Sequence, residues 1–369
     1  MKEGNLMYRP TYMKIDLSLL EDNCRYLSAK ANKELIPVIK ANAYGMGDVE
    51  VALKLQSIGI KLIAVSSLDE AIHLRSNNIN MDILILGYVD SHDFNLVRNN
   101  NLIILTVSLD YVMEHNFKNI RIHLKIDSGM GRIGLRNLQE AKKALDILLK
   151  SEAKVEGIMT HFAKSDEEDE KYTIQQFNKF KSIVEGLDYN FKYIHAANTD
   201  AIINFDEDFT NAIRSGLGCF GYSGFESDLK PIASLYTKVI NIKQVDQGSG
   251  IGYGQKYHAE NAEFIATMPI GYADGFLRNN CKGQFYSEGA YFDIVGNICM
   301  DQLMVRANDQ TKMLQEFEIF GEHISAYLWA DRCRMIIYEF LTTLSDRITR
   351  LYYDEGVLIK EITPRFKRD

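Results

Sequence analysis

The chain has 369 residues, 46% hydrophobic and 25% charged, which is enough apolar material for a sizeable globular core. Its net charge of −8 offers no basic stripe for nucleic acid. Five scattered cysteines (Cys24, Cys219, Cys281, Cys299, Cys333) lack metal-type spacing, no apolar run is long enough to cross a bilayer, and the first residues carry no signal-peptide core, so a metal-free, reduced cytoplasmic protein is expected.

In chain order, a strand-like opening at 12–17 leads into an amphipathic helix to about residue 31, with Leu20, Cys24 and Leu27 on one side. Short apolar runs then alternate with helical periodicity. Strands are expected at 36–40, 62–66, 83–87, 102–107, 121–126, 155–161, 193–195 and 212–216, with helices such as 68–75, 138–150 and 171–185 between them. Eight strands alternating with helices argue for a closed (β/α)₈ barrel rather than an open sheet. After residue 232 the long helices stop. Strand-like runs at 234–245, 263–269, 284–286, 290–298 and 303–306 follow, then a short helix at 335–344 and a closing strand, which reads as a mainly β domain. The expected division is a barrel over 12–233 and a β domain over 234–369 joined by residues 1–11.

Candidate chemistry gathers at the expected strand ends. In Val38-Ile39-Lys40-Ala41-Asn42-Ala43-Tyr44-Gly45-Met46-Gly47, an apolar strand runs into a glycine-punctuated turn, and Lys40 stands at the junction. Barrels place reactive groups at this end, and an amine desolvated there becomes a Schiff-base nucleophile. In Arg121 to Asp127 strict alternation puts His123, Lys125 and Asp127 on one face, toward the lumen, where Lys125 could pair with Asp127. Ser128-Gly129-Met130-Gly131-Arg132 then presents Arg132 on a glycine turn. His161 and His195 end consecutive strands. Asn198 and Thr199 follow the seventh strand, and Arg214, Gly216 and Leu217 end or follow the eighth, where barrels hold phosphate with backbone N–H groups and hydroxyls. The β region contributes Ile251-Gly252-Tyr253-Gly254, Pro269 to Gly275, Val295 to Gln302, and Ser345-Asp346-Arg347-Ile348-Thr349-Arg350.

These segments, in this order over nearly the whole chain, resemble the alanine racemase family, enzymes that use pyridoxal 5'-phosphate. The resemblance implies that Lys40 holds the cofactor covalently while Tyr44, Thr199, Gly216 and Leu217 cradle its phosphate, with Asn198 alongside. Arg214 would meet the pyridine nitrogen and, being a permanent cation that cannot accept a proton, keep that nitrogen unprotonated. His161 would lie beside the ring and bond the catalytic tyrosine, and His195 would orient Arg214. Arg132 would hold the substrate carboxylate, oriented by Lys125, whose counterpart is often carbamylated; the residues alone leave a plain structural lysine equally open. Lys40 and Tyr253 would be the two acid/base groups, one on each face of the substrate Cα. Tyr253, Tyr272 and Met300 would reach the partner's cofactor in a homodimer, with Tyr272 gating entry and Met300 and Asp301 lining the substrate side. The implied activity is interconversion of L- and D-alanine, which supplies D-amino acid for peptidoglycan.

Two positions depart from the family pattern. Met46 replaces a histidine outside the reacting atoms. Asp346 replaces a tyrosine that contacts phosphate and limits space beside the substrate side chain, so it either pairs with Arg347 or Arg350 or receives a polar or cationic side chain such as that of serine, lysine or ornithine. A decarboxylase of the same barrel type would carry histidine–glycine–serine and glutamate–proline–glycine–arginine signatures, which are absent from the sequence. A non-catalytic cofactor-binding protein would need only the barrel, and the β region with Tyr253 argues against it.

Overall fold

A computed structural model describes residues 8–363, so the outermost ends of the expected β domain, 1–7 and 364–369, lie outside the described residues. The chain divides into two compact units: Leu19–Ala43 with Gly47–Lys230, and a second unit made of Tyr44–Met46, the chain from Pro231 onward and the segment up to Ser18.

The first unit is the barrel. Strands β2 (Glu34–Pro37), β3 (Leu62–Val65), β4 (Asp82–Ile85), β5 (Ile103–Leu105), β6 (Arg121–Lys125), β7 (Lys154–Met159), β8 (Tyr193–His195) and β9 (Ala212–Ser215) follow β1 (Thr11–Asp16), which belongs to the other unit. The eight form one sheet in the order β2-β9-β8-β7-β6-β5-β4-β3, every pair parallel. Its ends meet through a parallel bridge between Val38 and Ala64, with Ile39 N–H donating to the Ala64 carbonyl at 2.9 Å. Ile36, Val38, Leu62, Ala64, Leu84, Ile103 and Leu105 are among the buried residues of one apolar cluster, so the barrel interior is packed with side chains. Outer helices form where the apolar period matches their turn. Leu138–Lys150 buries Ala141, Ala144, Leu145 and Leu148, and Asn137 caps it by accepting the Glu140 N–H at 2.9 Å.

The second unit is a ten-stranded sheet. It comprises β1, β10 (Ala233–Lys238), β11 (Asn241–Val245), β14 (Glu263–Met268), β15 (Gln284–Ser287), β16 (Ala290–Val295), β17 (Leu303–Ala307), β18 (Glu316–Phe320), β19 (Thr349–Asp354) and β20 (Val357–Ile362). A separate ribbon pairs β12 (Gly250–Ile251) with β13 (Tyr257–His258). β1 sits between β10, antiparallel, and β19, parallel. The sequence assigned the strand-like residues 12–17 to the barrel domain, whereas strand pairing places Tyr12 to Asp16 in this sheet and Leu17 begins the helix that follows. The expected single strand at 234–245 is two: the chain turns at Val239 and Ile240, which bond Gln315 and Thr267 respectively. Strand β18 and the helix Ala326–Cys333 have no counterpart in the sequence reading, and the expected 335–344 helix is Ile337–Thr343. Rings of Phe276, Phe285 and Trp329 pack with centroids 4.9–6.0 Å apart. Trp329 Nε1 donates to the Ile319 carbonyl at 2.6 Å, which satisfies the indole inside this core.

Candidate active site

Lys40 lies beyond the strand that carries it. β2 ends at Pro37, and Ala41, Asn42, Ala43 and Tyr44 have φ of 51–54°, so the segment after Lys40 is a left-handed turn rather than a strand end. L-residues pay roughly 1–2 kcal/mol each in that region, so anchors must hold it. Glu70 accepts Ala41 N–H and Ser66 N–H, both at 2.7 Å, Asn42 Oδ1 accepts Asp48 N–H at 3.0 Å, and Ala43 N–H bonds the Ile39 carbonyl at 3.0 Å. Burial and then the Arg132 charge push the Lys40 amine below its ordinary pKa, with Glu70 acting in the opposite sense.

The centre of the barrel's polar interior is Arg214, on β9 and only 3% exposed. Nη1 faces His195 Nδ1 at 2.9 Å, and Nη2 donates to the Thr160 and Ala196 carbonyls at 2.8 and 2.9 Å and to His161 Nδ1 at 3.2 Å. A guanidinium only donates, so both histidines accept at Nδ1 and carry their proton on Nε2. Burial first, and then the Arg214 charge, hold His161 and His195 well below the ordinary imidazole pKa, so both are neutral. Burial lowers Arg214 itself to about 9. The site therefore holds a cation among neutral acceptors, with no carboxylate in ion-pair contact with it among the described residues.

Lys125, 3% exposed on β6, donates from Nζ to the Ile126 carbonyl at 2.7 Å. Burial and the Arg214 charge bring its pKa to about 7. The pairing with Asp127 considered from sequence is not formed, because that carboxylate accepts the Gly129 and Gly131 N–H groups at 3.1 and 3.0 Å and so shapes the turn before Arg132. Arg132 is exposed on that turn.

After β8 and β9 the chain forms a hydroxyl-lined corner. Thr199 Oγ1 and Ser215 Oγ lie 2.9 Å apart, and Gly218 N–H donates to Thr199 Oγ1 at 3.2 Å. A Cβ on Gly218 would come within 2.6 Å of Ser215 Oγ, so only glycine lets the Leu217–Phe220 turn approach this closely. Asn198 caps the short helix Thr199–Asn204 by accepting Ala201 N–H at 3.2 Å, and it also accepts from Ser165 Oγ at 2.7 Å. The sequence reading missed Ser215, Glu70 and Thr160. Ser215 and Thr160 had only a positional signal, each being next to a residue already singled out, and Glu70, inside an expected helix, had none.

The β unit presents its candidates separately. Tyr253 is 73% exposed between Gly252 and Gly254, both at positive φ, and its carbonyl accepts from Asn297 Nδ2 at 2.7 Å. Met300 and Tyr272 are also exposed, and their backbones are tied together by Ala273 N–H to the Met300 carbonyl and Tyr272 N–H to Cys299, each at 3.0 Å. Asp301 takes Arg347 Nη2 at 2.6 Å. Beneath them, fully buried Asp274 receives Arg9 through both terminal nitrogens at 2.5 Å. Arg347 is thus engaged with Asp301 and Asp274. Asp346 is exposed, within electrostatic reach of buried Arg350, and 3.5 Å from Ser345 Oγ. Arg350 Nε in turn donates to the Gly45 carbonyl at 2.8 Å, and the Tyr44 and Tyr338 rings lie 6.0 Å apart. Among the described residues no group of three or more His, Cys, Asp or Glu side chains could hold a metal, and no helix is long and apolar enough to cross a membrane.

Comparison with known proteins bears on this arrangement. The alanine racemase N-terminal domain model matches residues 15–224 and the C-terminal domain model residues 232–352. The alanine racemase of Staphylococcus carnosus is 34% identical over 95% of this chain and 96% of its own length, and that of Streptococcus agalactiae is 36% identical over 94% and 99%. Among solved structures, alanine racemase from Clostridium difficile superposes with a TM-score of 0.91 at 34% identity, covering 96% of this chain and 99% of the other. The Bartonella henselae alanine racemase, solved with covalently bound pyridoxal phosphate, gives 0.83 at 25% identity, covering 93% and 99%. Two domain models that together span most of the sequence, and relatives matched along almost their full length, establish that this chain belongs to the alanine racemase family of isomerases.

Proposed function

We propose that the chain is an amino-acid racemase that interconverts L- and D-alanine with pyridoxal 5'-phosphate, supplying D-amino acid for peptidoglycan in the cytoplasm. The observation that carries this reading is Lys40: an amine held by an anchored left-handed turn at the barrel mouth, with its pKa lowered by burial and Arg132. The surrounding residues fit the cofactor. Thr199, Ser215 and the Gly216-Leu217 turn suit a phosphate, with Tyr44 as a further donor, and Arg214 suits an unprotonated ring nitrogen because a guanidinium donates and never accepts.

When bound, the cofactor withdraws electrons from the substrate Cα and acidifies its hydrogen. Lys40 then takes or returns that proton on one face, and Tyr253 of the partner subunit does so on the other. Arg132 receives the substrate carboxylate as a bidentate donor. A carbamyl group on Lys125 would turn a buried cation into an anion facing Arg132 and Arg214; an amine near pKa 7 is nucleophilic enough to capture carbon dioxide. The Nε2–H that Arg214 leaves on His161 is a donor suited to a phenol oxygen. Tyr253, Tyr272 and Met300, exposed large side chains on one unit, suit burial against a second copy, with Asp301 at the substrate side.

One observation favours a wider substrate range. Asp346 places an exposed carboxylate, within electrostatic reach of Arg350, where the family pattern has a tyrosine. Loss of optical rotation should be followed for a panel of L-amino acids with the loaded enzyme. Alanine alone losing rotation supports the main reading; serine, lysine or ornithine competing with it supports the wider one. A chain that binds cofactor and racemises none would be a non-catalytic binding protein. Asp346→Tyr should shift relative rates toward alanine, and unchanged ratios would reject its specificity role.

A further inference from the structure

The buried polar groups inside the barrel form a file whose direction follows from its first member. Arg214 only donates, so His195 Nδ1, 2.9 Å away, presents a lone pair and His195 keeps its proton on Nε2. That nitrogen lies 3.0 Å from His123 Nδ1. His195 must therefore donate and His123 accept, which leaves the His123 proton on its own Nε2. This last atom is fully buried without a hydrogen-bond partner among the described residues. Desolvating an N–H with no acceptor is unfavourable, and an apolar side chain at 123 would avoid it. The useful atom of the ring is Nδ1.

The seat is built around the ring. Gly157 faces His123 across the β6–β7 pair, and a Cβ there would lie 2.7 Å from its Cγ, Nδ1 and Cε1 atoms. Tyr193 packs against it with ring centroids 5.6 Å apart. Burial and the Arg121 and Arg214 charges hold His123 near pKa 3, so it stays a neutral acceptor.

We propose that His123 is a positioning residue: by accepting the Nε2–H of His195 it locks the tautomer that offers Nδ1 to Arg214, and so fixes the aim of the guanidinium. Without an acceptor at 123, His195 can carry its proton on Nδ1, which sets N–H against N–H and releases one of the four acceptors of Arg214. The contacts alone support the relay; its consequence for the cofactor rests on the function proposed above.

The test uses the full chain labelled with ¹⁵N-histidine, with His123→Leu and His123→Asn, whose amide oxygen can replace Nδ1. The wild-type spectrum should show His195 as the neutral Nε2–H form, without titration between about pH 5 and 8. In His123→Leu the His195 signal should move toward a mixture of tautomers, and pyridoxal phosphate, titrated by absorbance, should bind about tenfold more weakly, the loss of one hydrogen bond. His123→Asn should restore both. A pure Nε2–H tautomer in His123→Leu, or equal behaviour of the two variants, overturns the relay. Should the leucine variant fail to fold, the wild type still decides: a protonated His195, or one with its proton on Nδ1, overturns it. If tautomers respond as stated while the wild type binds no pyridoxal phosphate, the relay stands and the proposed function fails.

Discussion

Removing Glu70 should disarm Lys40 without unfolding the barrel. Its two oxygens each take one backbone N–H, from Ala41 and Ser66, at 2.7 Å. Bonds to a charged acceptor contribute roughly 1.5–3 kcal/mol each, and partial exposure lowers these two to about 1 kcal/mol each. Against them stands the run Ala41–Tyr44, four left-handed residues costing about 4–8 kcal/mol together. Losing about 2 kcal/mol of anchoring therefore matters to the turn, while the barrel core is untouched. Glu70→Ala should cut racemisation by about 10²-fold, as expected for a reacting group displaced by about 1 Å, with little change in melting temperature. Glu70→Gln keeps one acceptor and should fall between. It also removes a charge that raises the Lys40 pKa, so the pH midpoint for pyridoxal phosphate capture by the free amine should move lower. Full activity in Glu70→Ala, or a midpoint that moves upward in Glu70→Gln, would refute the reasoning.

Three further outcomes follow from the same geometry. Gly157→Ala forces a Cβ into the His123 ring and should cost about 1–3 kcal/mol, read as a lower melting temperature; an unchanged value would mean that the ring has room to move. Arg9→Met strands the fully buried Asp274 carboxylate with only the Gly271 N–H and the more distant Arg347 and should destabilise the β unit by about 3 kcal/mol in denaturant unfolding. Lys125, uncarbamylated, is lowered to about 7 by burial and Arg214, below its unfolded value near 10.4. The folded state then binds fewer protons between those values, so in carbon-dioxide-free buffer stability should rise as pH climbs through that window, and Lys125→Met should flatten the rise.

The barrel was legible because its strands are short apolar runs regularly spaced between amphipathic helices, and the observed strands begin or end within a few residues of the expected ones. Alternation along β6 correctly sent His123 and Lys125 to the interior. It could not show that Asp127 lies past the strand and serves the glycine turn. The turn after Lys40 was hidden for a different reason: of Ala-Asn-Ala-Tyr only Asn42 readily takes positive φ, and distant acceptors hold the rest there. In the β unit, residues 234–245 hold no glycine or proline, and the alternation slips at the adjacent apolar pair Val239 and Ile240, where the pairing partner changes. Strand β18, Glu-Phe-Glu-Ile-Phe, alternates only through Ile319, and its acidic residues find burial or partners that no local pattern discloses: Glu318 accepts the His323 and Ile324 N–H groups at 2.7 and 2.9 Å.

The most direct measurement is chemical. Borohydride reduction of the cofactor-loaded chain, followed by peptide mapping, should find the pyridoxyl phosphate mass on Lys40 and nowhere else. The same label on Lys125, or on any lysine outside the turn that follows β2, would contradict the account at its root.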